Sequence, residues 1–354
     1  MKKYCLACNV VIPKLSKQWS NQKYCTKKCK KIGNLKKKAS KTRTEQKRAN
    51  LRQNDEMLYL VKQCRKAETV QILNGHNLDS FTKTMDLVRN RPPGDVNLCH
   101  IAPVKGKNSK GLFHHLNLFY GGAHQNKKFK NKYISGGLYI SNKQLTKKWS
   151  VRDDMSTNDI LVMIEEFLGD ILPEYIEVSP VRKSKKVQIA SKILELDESK
   201  DIDKLLSASY KCLMDQWEKI SRIKTFSLIP VKQESKYLVY MDSLTRFISY
   251  GGDRVSALKA LRKLMVIGYM ALERVEQSET HNKYFYVKYE PLISKKYGQA
   301  MLQNPDDWSV FKDLIYNAAF KVLQGGMLDI KEFRKQIMSY LSFPEKAWVA
   351  RMTL

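Results

Sequence analysis

Long apolar runs are missing from this sequence of 354 residues. One of the longest extends only from Leu264 to Met270, whereas a membrane-spanning helix needs roughly 20 apolar residues. The first residues, Met1-Lys2-Lys3-Tyr4-Cys5, do not lead into the apolar core of a secretory signal. We therefore expect a protein that neither spans a membrane nor is secreted, and that is located in the cytoplasm or with the nucleoid.

Acidic residues are also scarce. The chain has 35 Asp and Glu against 64 Lys and Arg, and its formal net charge is +29. A protein with such an excess releases counterions when it binds a polyanion, which favours nucleic acid as the partner. DNA is the partner that we expect, and RNA is the alternative, because charge does not distinguish the two polymers. Protein partners stay open.

The cysteines are few and unevenly placed. There are seven, an odd number that does not suit a disulfide framework, and four of them lie within the first 29 residues. Cys5 and Cys8 form one short pair, and Cys25 and Cys29 form a second pair after sixteen intervening residues. Two such pairs can hold one tetrahedral Zn²⁺, and a four-sulfur site of this kind is structural. The stretch from Lys23 to Lys30 resembles small zinc ribbons, in which the second pair leads into a helix.

A strongly basic segment follows the second cysteine pair. Residues 27–52 contain twelve Lys or Arg, one acid at Glu45 and no proline, so the spacing permits a helix. We expect this helix to bind phosphates without reading sequence. The alternative is a solvated tail or a localisation signal. The expected contacts are Lys36, Lys37, Lys38, Lys41, Arg43, Lys47 and Arg48.

The remaining patterns predict a multidomain α+β protein. We expect a zinc ribbon with a basic helical arm over 1–54, a helical connector over 55–95 and a small site-bearing domain over 96–155. A helical region over 156–234 and an α+β domain over 235–354 would follow. Residues 270–277 and 283–289 read as two strands after a helix, an order that resembles the second half of a winged helix.

Histidine and asparagine concentrate in the expected site-bearing domain. Four of the six histidines lie at 100, 114, 115 and 124. The phrases His100-Ile101-Ala102-Pro103, Asn117-Leu118 and Asn126-Lys127-Lys128 follow one another there. Hydrolysis of a phosphodiester needs a base that activates water and a metal ion that stabilises charge on the phosphate. Histidine and asparagine can supply both requirements.

These residues resemble the HNH (ββα-metal) endonucleases over about 35 positions. The resemblance implies a strand, a second strand and a helix, and a metal-dependent enzyme that cuts DNA. It implies that His100 is the general base and that Asn117 fixes the imidazole or the connecting loop. Asn126 would bind Mg²⁺ or Mn²⁺, with His124 as a neighbouring candidate. Lys127, Lys128 and Lys130 would contact the phosphates, and such chains look like phage or mobile-element products.

The sequence departs from the family at Cys99. Many members carry an acidic metal ligand immediately before the base histidine, and a thiolate is a poor ligand for Mg²⁺. Asp95 can substitute, His114 or His115 can complete the site, the ion can be softer, or the site can be inactive. The alternative functions are therefore a non-catalytic DNA-binding protein, acting in transcription or packaging, and an RNA-binding protein.

Overall fold

A computed structural model describes residues 2–14, 19–92, 94–129, 134–223, 236–275 and 283–344. It is an α+β structure, mostly helical with small sheets. Its helices are α1 Lys27–Asn50, α2 Asp55–Ala67, α3 Leu78–Arg89, α4 Ala123–Phe129, α5 Thr157–Leu168, α6 Ile171–Val178, α7 Lys185–Leu196, α8 Ile202–Ser207, α9 Tyr210–Ser221, α10 Lys236–Ser249, α11 Val255–Val275, α12 Lys283–Tyr289, α13 Trp308–Leu323 and α14 Ile330–Ser339. Its strands are β1 Val96–His100, β2 Ser109–Gly111, β3 Leu118–Gly122, β4 Tyr139–Ser141, β5 Met301–Leu302 and β6 Leu341–Ser342.

The described strands form three two-stranded antiparallel sheets, in which β1 pairs with β3, β2 with β4, and β5 with β6. None of the described helices has both the length and the apolarity that crossing a bilayer requires.

The chain forms two compact units, and neither is continuous in sequence. The first contains Met1–Leu58 and Gly169–Lys224, and the second contains Tyr59–Leu168 and Thr225–Leu354. The five expected segments are therefore grouped differently, because the 225–354 part folds together with the part that contains the histidines.

The first unit contains the cysteine module, the basic helix and a small helical core. Ile189, Ile193 and Leu213 are buried where α7 packs against α8 and α9. The predicted basic helix is confirmed as α1, whose first turn is capped by Thr26: its hydroxyl accepts a hydrogen bond from Cys29 N at 3.1 Å. Such a cap satisfies one of the amides that a helix start leaves without a partner.

The second unit has a larger apolar core. Helices α10 to α14 surround Met265, Phe285 and Phe311, which are fully buried. Cys99 and Phe119, from β1 and β3, belong to the same cluster. The antiparallel pair of β1 and β3, which we call the hairpin, therefore packs against these helices.

The expected strands are wrong over 270–275 and 283–289, and residues 276 and 277 lie outside the described residues. Helix α11 continues to Val275, and Lys283–Tyr289 is the helix α12, so the described residues contain no winged-helix hairpin there. In α12 the buried side chains are Phe285 and Tyr289, four residues apart, while Val287 between them is exposed. This spacing is helical, although the sequence analysis interpreted residues 283–289 as a strand.

Candidate functional site

The four N-terminal cysteines come together at one point. The sulfur atoms of Cys5, Cys8, Cys25 and Cys29 all lie within 4.8 Å of one another. Cys25 Sγ is 3.5 Å from Cys8 Sγ and 3.5 Å from Cys29 Sγ. Four sulfurs at 2.3 Å from a tetrahedral Zn²⁺ would be about 3.8 Å apart. The cluster therefore has the size of a four-thiolate zinc site.

Local turns make this convergence possible. Cys5 N donates to Val10 O at 2.8 Å, and Asn9 N donates to Cys5 O at 2.9 Å, which closes a tight turn around the first pair. Asn9 has a φ of 57°, a left-handed conformation that asparagine tolerates better than most residues. The second pair brackets the start of α1: Cys25 precedes the extended N-cap residue Thr26, and Cys29 lies in the first turn of the helix.

The basic helix presents part of its predicted cationic surface to solvent. Arg43 and Arg48 are exposed. Lys47 is different, because its ammonium donates to Ile176 O at 3.0 Å and to Glu177 O at 2.9 Å, at the C-terminal end of α6. The expected phosphate contact of Lys47 is therefore corrected: its ammonium group binds backbone carbonyls within the first unit. The side chains of Lys36, Lys37, Lys38 and Lys41 lie outside the described residues.

The histidine-rich segment forms a strand, a second strand and a helix. In the antiparallel register His100 is opposite Leu118 and Val96 is opposite Gly122, and β3 runs directly into α4. Ile101 N donates to Asn117 O at 2.9 Å, so the residues that follow β1 and precede β3 are held together. His100 and Asn117 therefore lie close together at the same end of the hairpin.

Asn117 is fully buried, and its amide group fixes the loops around it. Its Oδ1 accepts hydrogen bonds from Ala102 N at 2.9 Å and Leu138 N at 3.2 Å. Its Nδ2 donates to Ala102 O at 3.2 Å and Leu112 O at 2.7 Å. Gly137 has a φ of 76°, and a Cβ there would collide with Oδ1. Asn117 thus orders the connecting loop, and none of these four bonds goes to the imidazole of His100.

His100 packs its ring against an aromatic side chain. The ring centroid is 6.0 Å from that of Phe113. The residue is half-buried, yet its Nε2 atom is enclosed and has no hydrogen-bond partner in the described part of the chain. Burial, helped by the charge of Lys66, lowers the pKa of His100 to about 3. The imidazole is therefore neutral at pH 7, which is the form that can accept a proton.

Cys99 lies on the other face of the hairpin. It is 3% exposed within the apolar core, and burial raises the pKa of its thiol to about 12. A neutral buried thiol does not serve as a ligand for Mg²⁺. Phe119 on this face meets Phe320, which stacks on Phe129 of α4. Because side chains alternate along a strand, His100 faces away from the side on which Phe129 packs.

The expected metal ligands on and near α4 do not converge. Asn126 is half-buried, whereas His124 is exposed, and residues two apart on a helix point in different directions. Asp95 precedes β1, and its carbonyl accepts a hydrogen bond from Ala123 N at 2.8 Å at the start of α4. Five residues of extended chain, roughly 16 Å, separate Asp95 from His100. Asp95 and His124 are therefore corrected: neither joins His100 and Asn126 around one ion.

The lysines of α4 remain available to a partner. Lys127 and Lys128 are both exposed, while Gln125 is buried. Lys130 lies outside the described residues. The exposed ammonium groups are placed on the solvent side of α4, where a phosphate strand has access to them.

Three other histidines, His76, His114 and His115, lie in a row that we call the histidine column. The rings of His76 and His114 stack with centroids 4.8 Å apart, and His115 follows at 4.4 Å from His114. His76 Nε2 lies 3.0 Å from Phe113 O and its Nδ1 lies 3.1 Å from Ser80 Oγ. Among the His, Cys, Asp and Glu side chains that the structure describes, the four N-terminal cysteines are the one group placed to hold a metal ion. His114 and His115 therefore do not complete a metal site.

Sequence reasoning missed the part played by α10. This helix contacts β3 through Tyr240, Ser243 and Arg246, whose partners are more than 100 residues earlier in the chain. Their spacing of three places them on one face of a helix, but nothing in the local sequence identifies β3 as the partner.

In comparisons with known proteins, no family model, no curated protein and no solved structure matches this chain.

Proposed function

We propose that this protein is an HNH-like endonuclease that hydrolyses phosphodiester bonds of DNA, with His100 as the general base. The observation that carries the proposal is the order of β1, β3 and α4, with His100 at the end of β1 and Asn117 at the start of β3. This is the order that the sequence phrases predict for the family.

Within this proposal each residue has a distinct role. His100, neutral at pH 7, takes a proton from the attacking water. Asn117 is a positioning residue, because its four hydrogen bonds fix the loop that follows His100. Lys127 and Lys128, which are exposed on α4, bind phosphates of the DNA strand. Histidine and lysine together supply proton transfer and charge neutralisation.

A catalytic Mg²⁺ or Mn²⁺ is implied by the family resemblance alone. Asn126 offers one amide oxygen, and among the described residues the four N-terminal cysteines are the one group of three or more His, Cys, Asp or Glu side chains that could hold an ion. This donor set does not fit a hard divalent cation, which prefers several oxygen ligands. We therefore assign no step of the reaction to the ion.

The first unit would supply binding rather than chemistry. In our proposal Cys5, Cys8, Cys25 and Cys29 hold a structural Zn²⁺ as thiolates, which leaves no position open for water. The ion would fix the start of α1, whose Arg43 and Arg48 then contact the DNA backbone without reading its sequence.

The test is a nicking assay with supercoiled plasmid. The wild-type protein is incubated with Mg²⁺, with Mn²⁺ and with a chelator, beside His100→Ala and the control His124→Ala. We expect nicking by the wild type and by the control variant, and its loss in His100→Ala. The reaction with the chelator shows whether the nicking needs an added divalent ion. Nicking that survives in His100→Ala would show that another residue or a contaminant is responsible.

A second candidate is a nucleic-acid-binding protein without hydrolysis. Two observations favour it: His100 Nε2 is enclosed against Phe113, and Cys99 occupies the usual place of an acidic ligand as a buried neutral thiol. A base with a pKa near 3 also has little driving force for taking a proton from water. Retardation of DNA or RNA by the wild type, without nicking under any metal condition, would favour this candidate.

A further inference from the structure

Strand β3 pairs with β1 along one edge, and three side chains of α10 form hydrogen bonds with the backbone N–H and C=O groups of its other edge. Tyr240 Oη accepts a hydrogen bond from Gly122 N at 2.8 Å. Ser243 Oγ accepts from Tyr120 N at 3.3 Å and donates to Tyr120 O at 3.2 Å. The guanidinium of Arg246 donates to Leu118 O. We call this set of contacts, from Tyr240, Ser243 and Arg246, the α10 ladder.

The ladder matches the geometry of an antiparallel strand. Every second residue of β3 directs its N–H and C=O away from β1, and residues 118, 120 and 122 are the three that the ladder contacts. Three residues of helix advance about 4.5 Å and two residues of strand about 6.6 Å. The side chains differ in length and absorb this mismatch. The helix therefore takes the place of a third strand.

The two ends of the ladder reach the elements that carry the candidate site. At one end Arg246 donates to Leu118 O, and it also donates to His115 O at 2.9 Å. It therefore holds the backbone on both sides of Asn117. At the other end Tyr240 Oη lies 3.4 Å from Gln125 Oε1, within α4. Gln125 is buried and is the neighbour of Asn126.

We propose that Tyr240, Ser243 and Arg246 are positioning residues for the hydrolytic site, and that the ββα segment is not competent without α10. This inference rests on the proposed endonuclease function. An unpaired strand edge leaves backbone groups without partners, and a strand held on one side only can shift in register. A shift of β3 would move Asn117 and α4 relative to His100, which costs rate even though no reacting group is lost.

The experiment combines hydrogen exchange with kinetics on the full-length protein. Tyr240→Phe removes the hydroxyl that accepts from Gly122 N. Tyr237→Phe is the matched control, because it removes a buried hydroxyl of the same helix that donates to Met265 O instead. Exchange is followed by mass spectrometry on peptides that cover 118–125, and single-turnover nicking and DNA affinity are measured for the same samples.

We expect exchange over 118–125 to rise about tenfold in Tyr240→Phe and to match the wild type in Tyr237→Phe. The nicking rate should fall at least tenfold in Tyr240→Phe, with DNA affinity unchanged within twofold. Arg246→Gln should behave in the same way, and Arg246→Lys, which keeps one donor, should recover part of the rate. The proposal is then supported, because a general loss of stability would affect the control as well.

Three results would overturn it. Unchanged exchange over 118–125 in Tyr240→Phe would show that the ladder does not hold β3. Raised exchange with an undiminished nicking rate would show that the ladder does not position the site. A wild type that never nicks DNA, with raised exchange in Tyr240→Phe, would instead locate the failure in the endonuclease proposal, and the catalytic role of the ladder would fall with it.

Discussion

The side chain of Asn117 pairs with both backbone groups of Ala102, accepting from its N–H at 2.9 Å and donating to its C=O at 3.2 Å. A single amide thus imitates a neighbouring strand at the point where the chain leaves β1. The two residues are 15 positions apart, and His100 lies two residues before Ala102. The loop that follows the candidate base is therefore anchored by a buried amide rather than by packing alone.

Replacing Asn117 by alanine should strongly destabilise the second unit. Asn117→Ala leaves two N–H and two C=O groups without their partner, three of them in buried hydrogen bonds, and we expect a loss of about 3 kcal/mol in the free energy of unfolding. Urea denaturation measures this loss. The half-buried Asn126→Ala serves as the control and should change the free energy by less than about 1 kcal/mol. Equal effects of the two variants would contradict the anchoring role of Asn117.

Zinc binding should depend on the four N-terminal cysteines and on no other. We expect native mass spectrometry of the wild type to show one Zn²⁺ per chain, and Cys8→Ser or Cys25→Ser to abolish tight binding, because three thiolates do not close the tetrahedron. The control is Cys212→Ser, which removes an exposed cysteine of the same unit. Zinc loss in the control, or a metal-free wild type after purification under reducing conditions, would contradict the assignment.

Arg43 and Arg48 should account for part of the salt dependence of DNA binding. Each phosphate contact contributes about 0.9 to the slope of log K against log salt, so Arg43→Gln with Arg48→Gln should reduce the slope by roughly 2. Lys47→Gln should leave it unchanged, because Lys47 already binds the end of α6. A matched double variant on α9, Lys211→Gln with Lys219→Gln, tests whether any two charges of the unit have the same effect. An equal reduction in that variant would contradict a specific role of α1.

The histidine column should make the fold sensitive to acid. Burial lowers the pKa of His76 from 6.5 to about 4, so between these values the unfolded chain binds a proton that the folded chain does not. The stabilisation is complete above pH 6.5 and is lost as the pH falls towards 4, by up to about 3 kcal/mol from His76. Burial also lowers the pKa of His115 to about 4, with smaller contributions in the same direction from His114, Lys83 and Arg246 and an opposite one from Asp79.

Urea denaturation at a series of pH values checks this prediction. His76→Gln should remove about one proton from the slope of stability against pH, whereas the exposed His124→Gln should leave the slope as in the wild type. An unchanged slope in His76→Gln would contradict the expected depression of its pKa.

Short-range patterns were the part of this fold that the sequence predicted well. The cysteine cluster followed from spacing, because two short turns fix where the sulfurs lie. The helical region expected from residue 156 begins with α5, in which Ile160, Ile164 and Leu168 repeat at helical intervals and are buried. Each of these predictions needed only residues that are close in the chain.

Long-range contacts were the part that the sequence did not predict. Met270, Ala271 and Leu272 are buried in succession because α11 is enclosed from Leu264 to Glu273, so the helical period was hidden in a continuous apolar run. Asp95 and His124 looked like ligands from their closeness in sequence to His100 and Asn126. The length of β1 separates Asp95 from His100, and the helical turn of α4 separates His124 from Asn126. The sequence does not show either separation, because both depend on the strand and helix that form there.

The rate of plasmid nicking at saturating protein tests the central claim most directly, because it removes binding from the comparison. With Mg²⁺ or Mn²⁺ present, wild-type protein should nick DNA at least about 100-fold faster than His100→Ala, the lower range for loss of a general base. The two proteins should retard DNA equally. Equal nicking rates, or retardation by both proteins with no nicking by either, would contradict the role of His100 as the base of an endonuclease.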